Sequence, residues 1–231
     1  MSGQTGLQIA YRDEHLLVVE KAAGMVVHPA RGHREGTLSQ LLAGLAGGGD
    51  PERAGIVHRL DRDTSGLLVV ARDEQTLRQL QAALAARRIQ REYLALVRGV
   101  MPARSGTIEA PIGRDPRVRT RMSVGGNHAR EARTHYTLER TLRGYSLLRV
   151  RLDTGRTHQI RVHMQAIGHP VAGDPQYGAP AELGLKRQFL HATRLAFEHP
   201  ITAKAIEVTS DLPEDLKTAL ERAERASAPG S

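Results

Sequence analysis

The feature that most constrains this sequence is the abrupt passage from charge to hydrocarbon across residues 58–71, HRLDRDTSGLLVVA. Two arginines and two aspartates fall between Arg59 and Asp63, and Leu67, Leu68, Val69, Val70 and Ala71 follow almost at once. An apolar run of that length, opened by Thr-Ser-Gly, reads as a buried strand. A cluster of charges is therefore fixed at the mouth of a core strand. Two readings stand for it. An aspartate before a strand is commonly a turn former, and Asp63 suits that role because its side chain can bond the amides of Ser65 or Gly66. The other reading makes Asp61, flanked by Arg59 and Arg62, a carboxylate held at a pocket mouth for chemistry.

The remaining core must be aliphatic as well, because the 231 residues include two phenylalanines, five tyrosines and no tryptophan. Alternation predicts strands at 7–11 and 15–20, joined by a turn at Asp13-Glu14. A helix is expected near 37–45, with a break at 47–50. DEQTLRQLQAALAARR places Leu77, Leu80 and Leu84 at helical spacing, with acids early and arginines late, as the helix dipole favours. EYLALVRG and YSLLRVRLD read as strands. THQIRVHMQAIG reads as a helix with Ile160, Met164 and Ile167 on one face and Gly168 as its stop. FLHATRLAFEHP and AIEVTS give late strands, PEDLKTALERAERA a terminal helix. Strands with both short turns and interposed helices indicate an α+β fold. One domain over residues 1–226 is expected, with a disordered tail at 227–231.

The chain carries 33 Lys and Arg against 25 Asp and Glu, a net charge of +8. Only Lys21, Lys186, Lys204 and Lys217 are lysines. Arginine offers planar, two-pronged donors to phosphate and stacks on bases, so nucleic acid is the natural partner; codon usage in a GC-rich genome is the other reading of the Arg-for-Lys skew. The basic residues concentrate in GRDPRVRTRMSVGGNHAREARTHYTLER, with Arg114, Arg117, Arg119 and Arg121 close together, and Pro116, Gly125 and Gly126 as turn formers. A basic loop or hairpin that projects from the sheet and contacts RNA is expected there.

Other chemistries find little support. Neither GxxxxGK[ST] nor GxGxxG is present, nor a GxSxG elbow. The absence of cysteine removes disulfides, thiolate catalysis and Cys-ligated metals. His158 and His163 are five apart, which places them well off a common helical face, and HExxH is absent, so no metal site is expected. No apolar run is long enough for a membrane-spanning helix, and the N-terminus does not resemble a signal peptide, so the cytoplasm is the expected compartment. Two further clusters invite attention: Tyr93 at the start of a strand, and TGRTHQIRVHM, which sets Arg156 and Arg161 near the start of a helix.

Taken in order, these segments resemble the RluA-type pseudouridine synthases. HRLDRDTSG resembles the family's HRLDxxTSG signature, REYLALVRG its Tyr-x-Ala element, and LDTGRTHQIRVHMQAIGHPVAGDPQYG its third motif. LLVVEKAAGMVVHP and LHATRLAFEHP resemble flanking strands, so the likeness spans roughly residues 7–212. It implies a long, curved, mostly antiparallel sheet flanked by helices with a central RNA-binding cleft, and isomerisation of uridine to pseudouridine in structured RNA, either rRNA or tRNA, with no cofactor or metal needed; a monomer is the default expectation for the oligomeric state. Asp61 matches the family's essential aspartate, which either attacks C1′ or takes the C2′ proton. Tyr93 matches the tyrosine that packs on the target base, and Arg161 the basic residue that pairs with the aspartate. Arg59 matches a residue that fills the gap left by the flipped nucleotide. Arg62, Arg114, Arg117, Arg119, Arg121, Arg156 and His158 are the further RNA contacts expected.

The sequence departs from the family pattern at Ala22, where proline is frequent, and around Arg121, Asn127 and His128, where lysine is commoner. The first strand begins near Leu7, so no N-terminal S4 domain is expected, and target choice is expected to lie in the catalytic domain itself. An RNA-binding assembly factor without activity and a metal-dependent hydrolase are the alternatives; the presence of Asp61, Tyr93 and Arg161 together argues against the first.

Overall fold

The structure is a computed structural model that describes residues 7–29, 35–53, 55–178 and 181–225. The tail at 227–231 lies outside these residues. Strands β1 (Gln8–Arg12) and β2 (Leu16–Lys21) come first, then the short helix α1 (Leu38–Leu41), strand β3 (Ser65–Ala71) and helix α2 (Glu74–Ala85). Strands β4 (Gln90–Arg98), β5 (Ser105–Glu109), β6 (Ile112–Arg114), β7 (Met122–Val124) and β8 (Asn127–Arg130) follow. Next are β9 (Arg133–Leu142), β10 (Tyr145–Leu152) and helix α3 (Gln159–Ala166). Strands β11 (Leu190–Glu198) and β12 (Ala205–Thr209) and helix α4 (Glu214–Arg225) come last. The described ladders are antiparallel, and the class is α+β. No described helix is long and apolar enough to cross a membrane.

The chain divides into two compact units, Met1–Arg91 with Ala192–Asp211, and Glu92–His191 with Leu212–Ser231. In the first, the strand order is β1-β2-β3-β11, with β12 on β11. Every residue of β3 is buried, as are Leu16, Leu17, Val18 and Val19 of β2, which is why both read as continuous apolar runs. Helix α2 starts at Asp73, whose carboxylate accepts from the Thr76 amide at 2.7 Å, and lays Leu77 and Leu80 on Leu16, Val18, Leu67 and Val69. The helix expected near 37–45 is only the single turn α1. A Thr37–Gln40 capping box opens it, and the chain then turns through Gly44 at φ +77°.

The second unit holds the order β4-β10-β9-β5. Strands β9 and β10 form a hairpin in which Leu142 faces Tyr145 across Arg143-Gly144, with Gly144 at φ +76°. Strands β5 and β9 are not among the strands expected from the sequence: β5 buries only Ile108, and β9 turns Thr134 and Tyr136 inward, which blurs the alternation. The arginine-rich stretch is a separate three-stranded sheet, ordered β7-β6-β8. It is seated rather than freely projecting: Ile112 and Ala132 are buried with Val162 of α3 and Tyr177. Helix α3 buries Ile160 and Met164 as expected, but Ile167 is 37% exposed, because the helix ends at Ala166 and Ile167 is already its C-cap.

Two histidines are locked neutral by this packing. His58 is buried, and its Nε2 accepts from the Val69 amide at 3.3 Å. Burial, assisted by the charge of Arg91, pushes its pKa down to about 3. His163 is fully buried in α3; its Nε2 faces the Ala110 carbonyl and its Nδ1 the Thr134 hydroxyl, and burial lowers its pKa too. An unfolded imidazole protonates below about pH 6.5, so the unfolded chain gains protons that the folded chain refuses. Stability therefore falls as pH drops from that point toward 3, by at most about 1.4 kcal/mol per pH unit for each such group. The urea midpoint is expected to decline from pH 7 to pH 4. His58→Gln, which keeps an acceptor for Val69 but cannot titrate, should make the decline shallower; equal slopes for variant and parent would contradict the assignment.

Candidate active site

The stretch from His58 to Asp61 is built by simple alternation. His58 and Leu60 point inward and are buried, while Arg59 is exposed and Asp61 half-buried. The chain then turns, with the Thr64 amide donating to the Asp61 carbonyl at 3.1 Å, and Thr64 and Ser65 go into the core. Gly66, at φ +113°, is required next: a Cβ there would stand 2.2 Å from the Ala192 carbonyl oxygen. Arg62 spends its Nε and a terminal NH2 on the carboxylate of Asp63, at 3.1 and 3.0 Å. The turn expected here is present, and the Thr64–Asp61 backbone bond helps to close it.

The turn is held from beneath by a residue the sequence reading passed over. Lys21, at the end of β2, is 1% exposed. Its ammonium donates to the carbonyls of Ala22 at 2.8 Å, Met25 at 2.9 Å and Arg62 at 2.8 Å. The Gly24 amide adds a second bond to the Arg62 carbonyl, at 2.9 Å. A buried ammonium must fill its three donor positions or lose several kcal/mol. The burial of Lys21 thus dictates where the backbone beside Asp61 lies. Its only signal in the sequence is a lysine closing an apolar strand in a chain that otherwise prefers arginine.

In the second unit, Tyr93 lies in β4, buried and paired with Val150 of β10. Arg161 sits in the first turn of α3 with its side chain 6% exposed. Its Nε and a terminal NH2 meet the fully buried carboxylate of Asp174 at 2.7 and 3.0 Å. The resemblance pairs Arg161 with Asp61; Asp174, in the GDPQYG segment, is a further partner to which the sequence assigns no role. The first turn of α3 is fixed by Gln159, which accepts from Thr154 and the Arg156 amide and donates to the Arg133 carbonyl and Thr134. All four of its hydrogen-bonding positions are used. His158, the N-cap, is left-handed at φ +57°, a conformation that costs a non-glycine residue about 1–2 kcal/mol. Its Nδ1 lies 2.8 Å from the Tyr177 hydroxyl.

Tyr177 gathers several of the expected RNA contacts. The guanidinium carbons of Arg121 and Arg161 each lie 4.9 Å from its ring centroid, and its hydroxyl accepts from the Met122 amide at 2.8 Å. Burial raises its pKa, so the phenol stays protonated. Arg114, Arg117 and Arg119 are exposed on β6 and the loop after it. Arg156 is half-buried and donates Nε to the Glu131 carbonyl at 2.9 Å. Arg59 is close enough to His28 for its charge, after burial and with Arg53, to lower the pKa of that imidazole. Asp61, Arg59 and Arg62 thus share one turn, and Arg121, His158 and Arg161 share one tyrosine.

The clamp under the turn has a direct test. Lys21→Met keeps the length and removes the donors. Amide exchange at Gly24 and Thr64 should rise by about tenfold, the effect of losing one net hydrogen bond of about 1.4 kcal/mol, while the β2–β3 ladder stays protected. Unchanged exchange at both amides would show that the turn does not depend on Lys21.

Comparison with known proteins bears on what such a site does. A family model described as RNA pseudouridylate synthase matches residues 15–166. An uncharacterized RNA pseudouridine synthase of Chloroflexus aurantiacus is 55% identical over 205 residues, covering 87% of this chain and 64% of its own length. A ribosomal large subunit pseudouridine synthase D of Xanthomonas campestris is 44% identical over 229 residues, covering 91% of this chain and 67% of that protein. The chain therefore spans about two thirds of these relatives. Among solved structures, human RNA pseudouridylate synthase domain containing 4 superposes with a TM-score of 0.77 at 24% identity, covering 94% of this chain and 92% of that one. The human domain containing 1 gives 0.73 at 28% identity, with both chains fully covered. The fold is that of the pseudouridylate synthases, and the chain belongs to the RNA pseudouridylate synthase family.

Proposed function

We propose that this protein isomerises specific uridines in structured RNA to pseudouridine, with Asp61 as the catalytic carboxylate. The observation that carries the reading is the half-buried Asp61 on a turn clamped by Lys21, Gly24 and the start of β3. The backbone that bears this carboxylate is fixed while the side chain stays reachable. The N1–C1′ bond of uridine breaks, the freed uracil turns over, C5 bonds to C1′, and the C5 proton is released while N1 gains one. Every atom of the product comes from the substrate and water, so no redox equivalent or group donor is consumed. Asp61 either attacks C1′ or takes the C2′ proton, and both steps need its ionised form.

Tyr93 is proposed to pack on the target base. The base must leave its stack at a cost of a few kcal/mol, of which an aromatic contact returns about 1–3 kcal/mol. Arg161, held by Asp174 and Gln176, is the basic residue proposed to assist the reaction. Arg59 is the proposed wedge that replaces the flipped nucleotide. Arg62, Arg114, Arg117, Arg119, Arg121, Arg156 and His158 are the proposed contacts to the RNA. The name of the Xanthomonas relative favours ribosomal RNA over transfer RNA as the first substrate class to test.

RNA carrying tritium at uridine C5 reads the reaction, since bond exchange at C5 liberates the label. The parent protein should release it and Asp61→Asn should be slower by about 10³-fold or more, the scale of losing a group that acts on the reacting atoms, with RNA affinity kept within threefold or so. Full turnover by Asp61→Asn would remove Asp61 from the mechanism. Replacing Arg117 and Arg119 with alanine should lower the slope of log affinity against log salt by about 1.5, since each phosphate that is no longer neutralised takes away about 0.7–0.9. An unchanged slope would place the RNA elsewhere.

A further inference from the structure

The loop between β6 and β7, residues 115–121, is an ordered structure. The Asp115 carboxylate accepts from the amides of Arg117 and Val118 at 2.8 and 2.9 Å, and the Asp115 amide donates to the Arg121 carbonyl at 3.0 Å. One side chain outside the loop touches both it and Arg161. The Nε2 of Gln176 donates to the Thr120 carbonyl at 2.9 Å, and its Oε1 accepts from a terminal NH2 of Arg161 at 3.3 Å. The orientation of this amide is dictated by chemistry, since a guanidinium can only donate and a carbonyl can only accept. The flipped amide would lose both bonds.

Gln176 is itself fixed by the residue that fixes Arg161. One oxygen of Asp174 accepts from the amides of Gln176 and Tyr177, at 2.9 and 3.1 Å, and from a terminal NH2 of Arg161 at 3.0 Å. Tyr177 then closes the connection from the other side, by its bond to the Met122 amide and by the Arg121 and Arg161 guanidiniums beside its ring. The loop and Arg161 therefore cannot move independently: displacing Thr120 or Arg121 pulls on the groups that orient Arg161.

We infer that Gln176, backed by Asp174, is a positioning residue that couples RNA engagement by loop 115–121 to the orientation of Arg161, so that the loop acts in substrate selection as well as affinity. The inference rests on the roles proposed above for Arg161 and for the loop arginines. By linkage, whatever orders the loop favours the oriented guanidinium, and the reverse holds equally.

Two substitutions separate the two ends of the bridge. Gln176→Glu keeps an acceptor for Arg161 and loses the donor to Thr120; Gln176→Ala loses both. Trypsin cleavage after Arg117 and Arg119, followed by mass spectrometry on folded protein, reads the loop without reference to activity. Both variants should be cut faster, by about fivefold or more, the lower end of typical coupling factors. Asp174→Asn should also be cut faster although Asp174 does not touch the loop. In tritium release, Gln176→Glu should raise KM with kcat within about twofold, whereas Gln176→Ala should lower kcat as well, because only the second removes a bond that orients Arg161. Cleavage unchanged in Gln176→Glu, or a kcat loss in Gln176→Glu equal to that of Gln176→Ala, would overturn the coupling. If the parent protein released no tritium, the proposed reaction would fall, and the cleavage rates of the three variants would judge the linkage alone.

Discussion

A charge removed from water must be ligated at every donor or acceptor position, and the burial of Lys21 imposes that condition on the backbone around Asp61. The carbonyls of Ala22, Met25 and Arg62 have to face one point. Two of them lie just after β2, and the third lies in the turn that carries Asp61. A lysine that could reach solvent would leave this turn free to adjust. A fully buried one makes the turn part of the core, although the carboxylate it presents is half-exposed. The second unit uses the same principle with the opposite sign: the fully buried carboxylate of Asp174 must be ligated, and Arg161 with the amides of Gln176 and Tyr177 does so. Removing one member of a buried ion pair such as Arg161–Asp174 typically costs about 3–5 kcal/mol.

These constraints leave Arg161 and the helix that bears it little conformational freedom. Arg161 has two nitrogens fixed by Asp174 and a further bond to Gln176. The helix bearing it is fixed by a saturated Gln159 and by a neutral His163 wedged between Thr134 and Ala110. Strain is accepted at His158, whose left-handed backbone opens α3 beside Tyr177. In the proposed uridine reaction, side chains held in this way would let RNA-binding energy go to extruding the base rather than to arranging catalytic groups.

Much of this was legible in the sequence, for identifiable reasons. The apolar runs of β2 and β3 and the spacing of Leu77 and Leu80 report burial directly, and the structure has those elements where the patterns place them. The alternation of His58, Arg59 and Leu60 is visible as soon as the turn is recognised. Strand β9 was hidden because its inward residues include threonine and tyrosine, which carry no strong hydropathy signal, and β5 because Ile108 alone marks its inward side. Ile167 was misplaced because periodicity does not mark the residue at which a helix stops. Lys21, Asp174 and Gln176 were invisible for a deeper reason. Their importance lies in burial and in bonds to backbone atoms remote in sequence, and nothing in spacing announces which lysine, aspartate or glutamine will be buried.

The most direct test of the account is position-resolved mapping of pseudouridine in ribosomal and transfer RNA from cells with and without this protein, with the missing function restored by the parent chain or by Asp61→Asn. The account predicts that one or a few uridines lose the modification, that the parent chain restores it, and that Asp61→Asn does not. Identical maps in both cells, or restoration by Asp61→Asn, would contradict it.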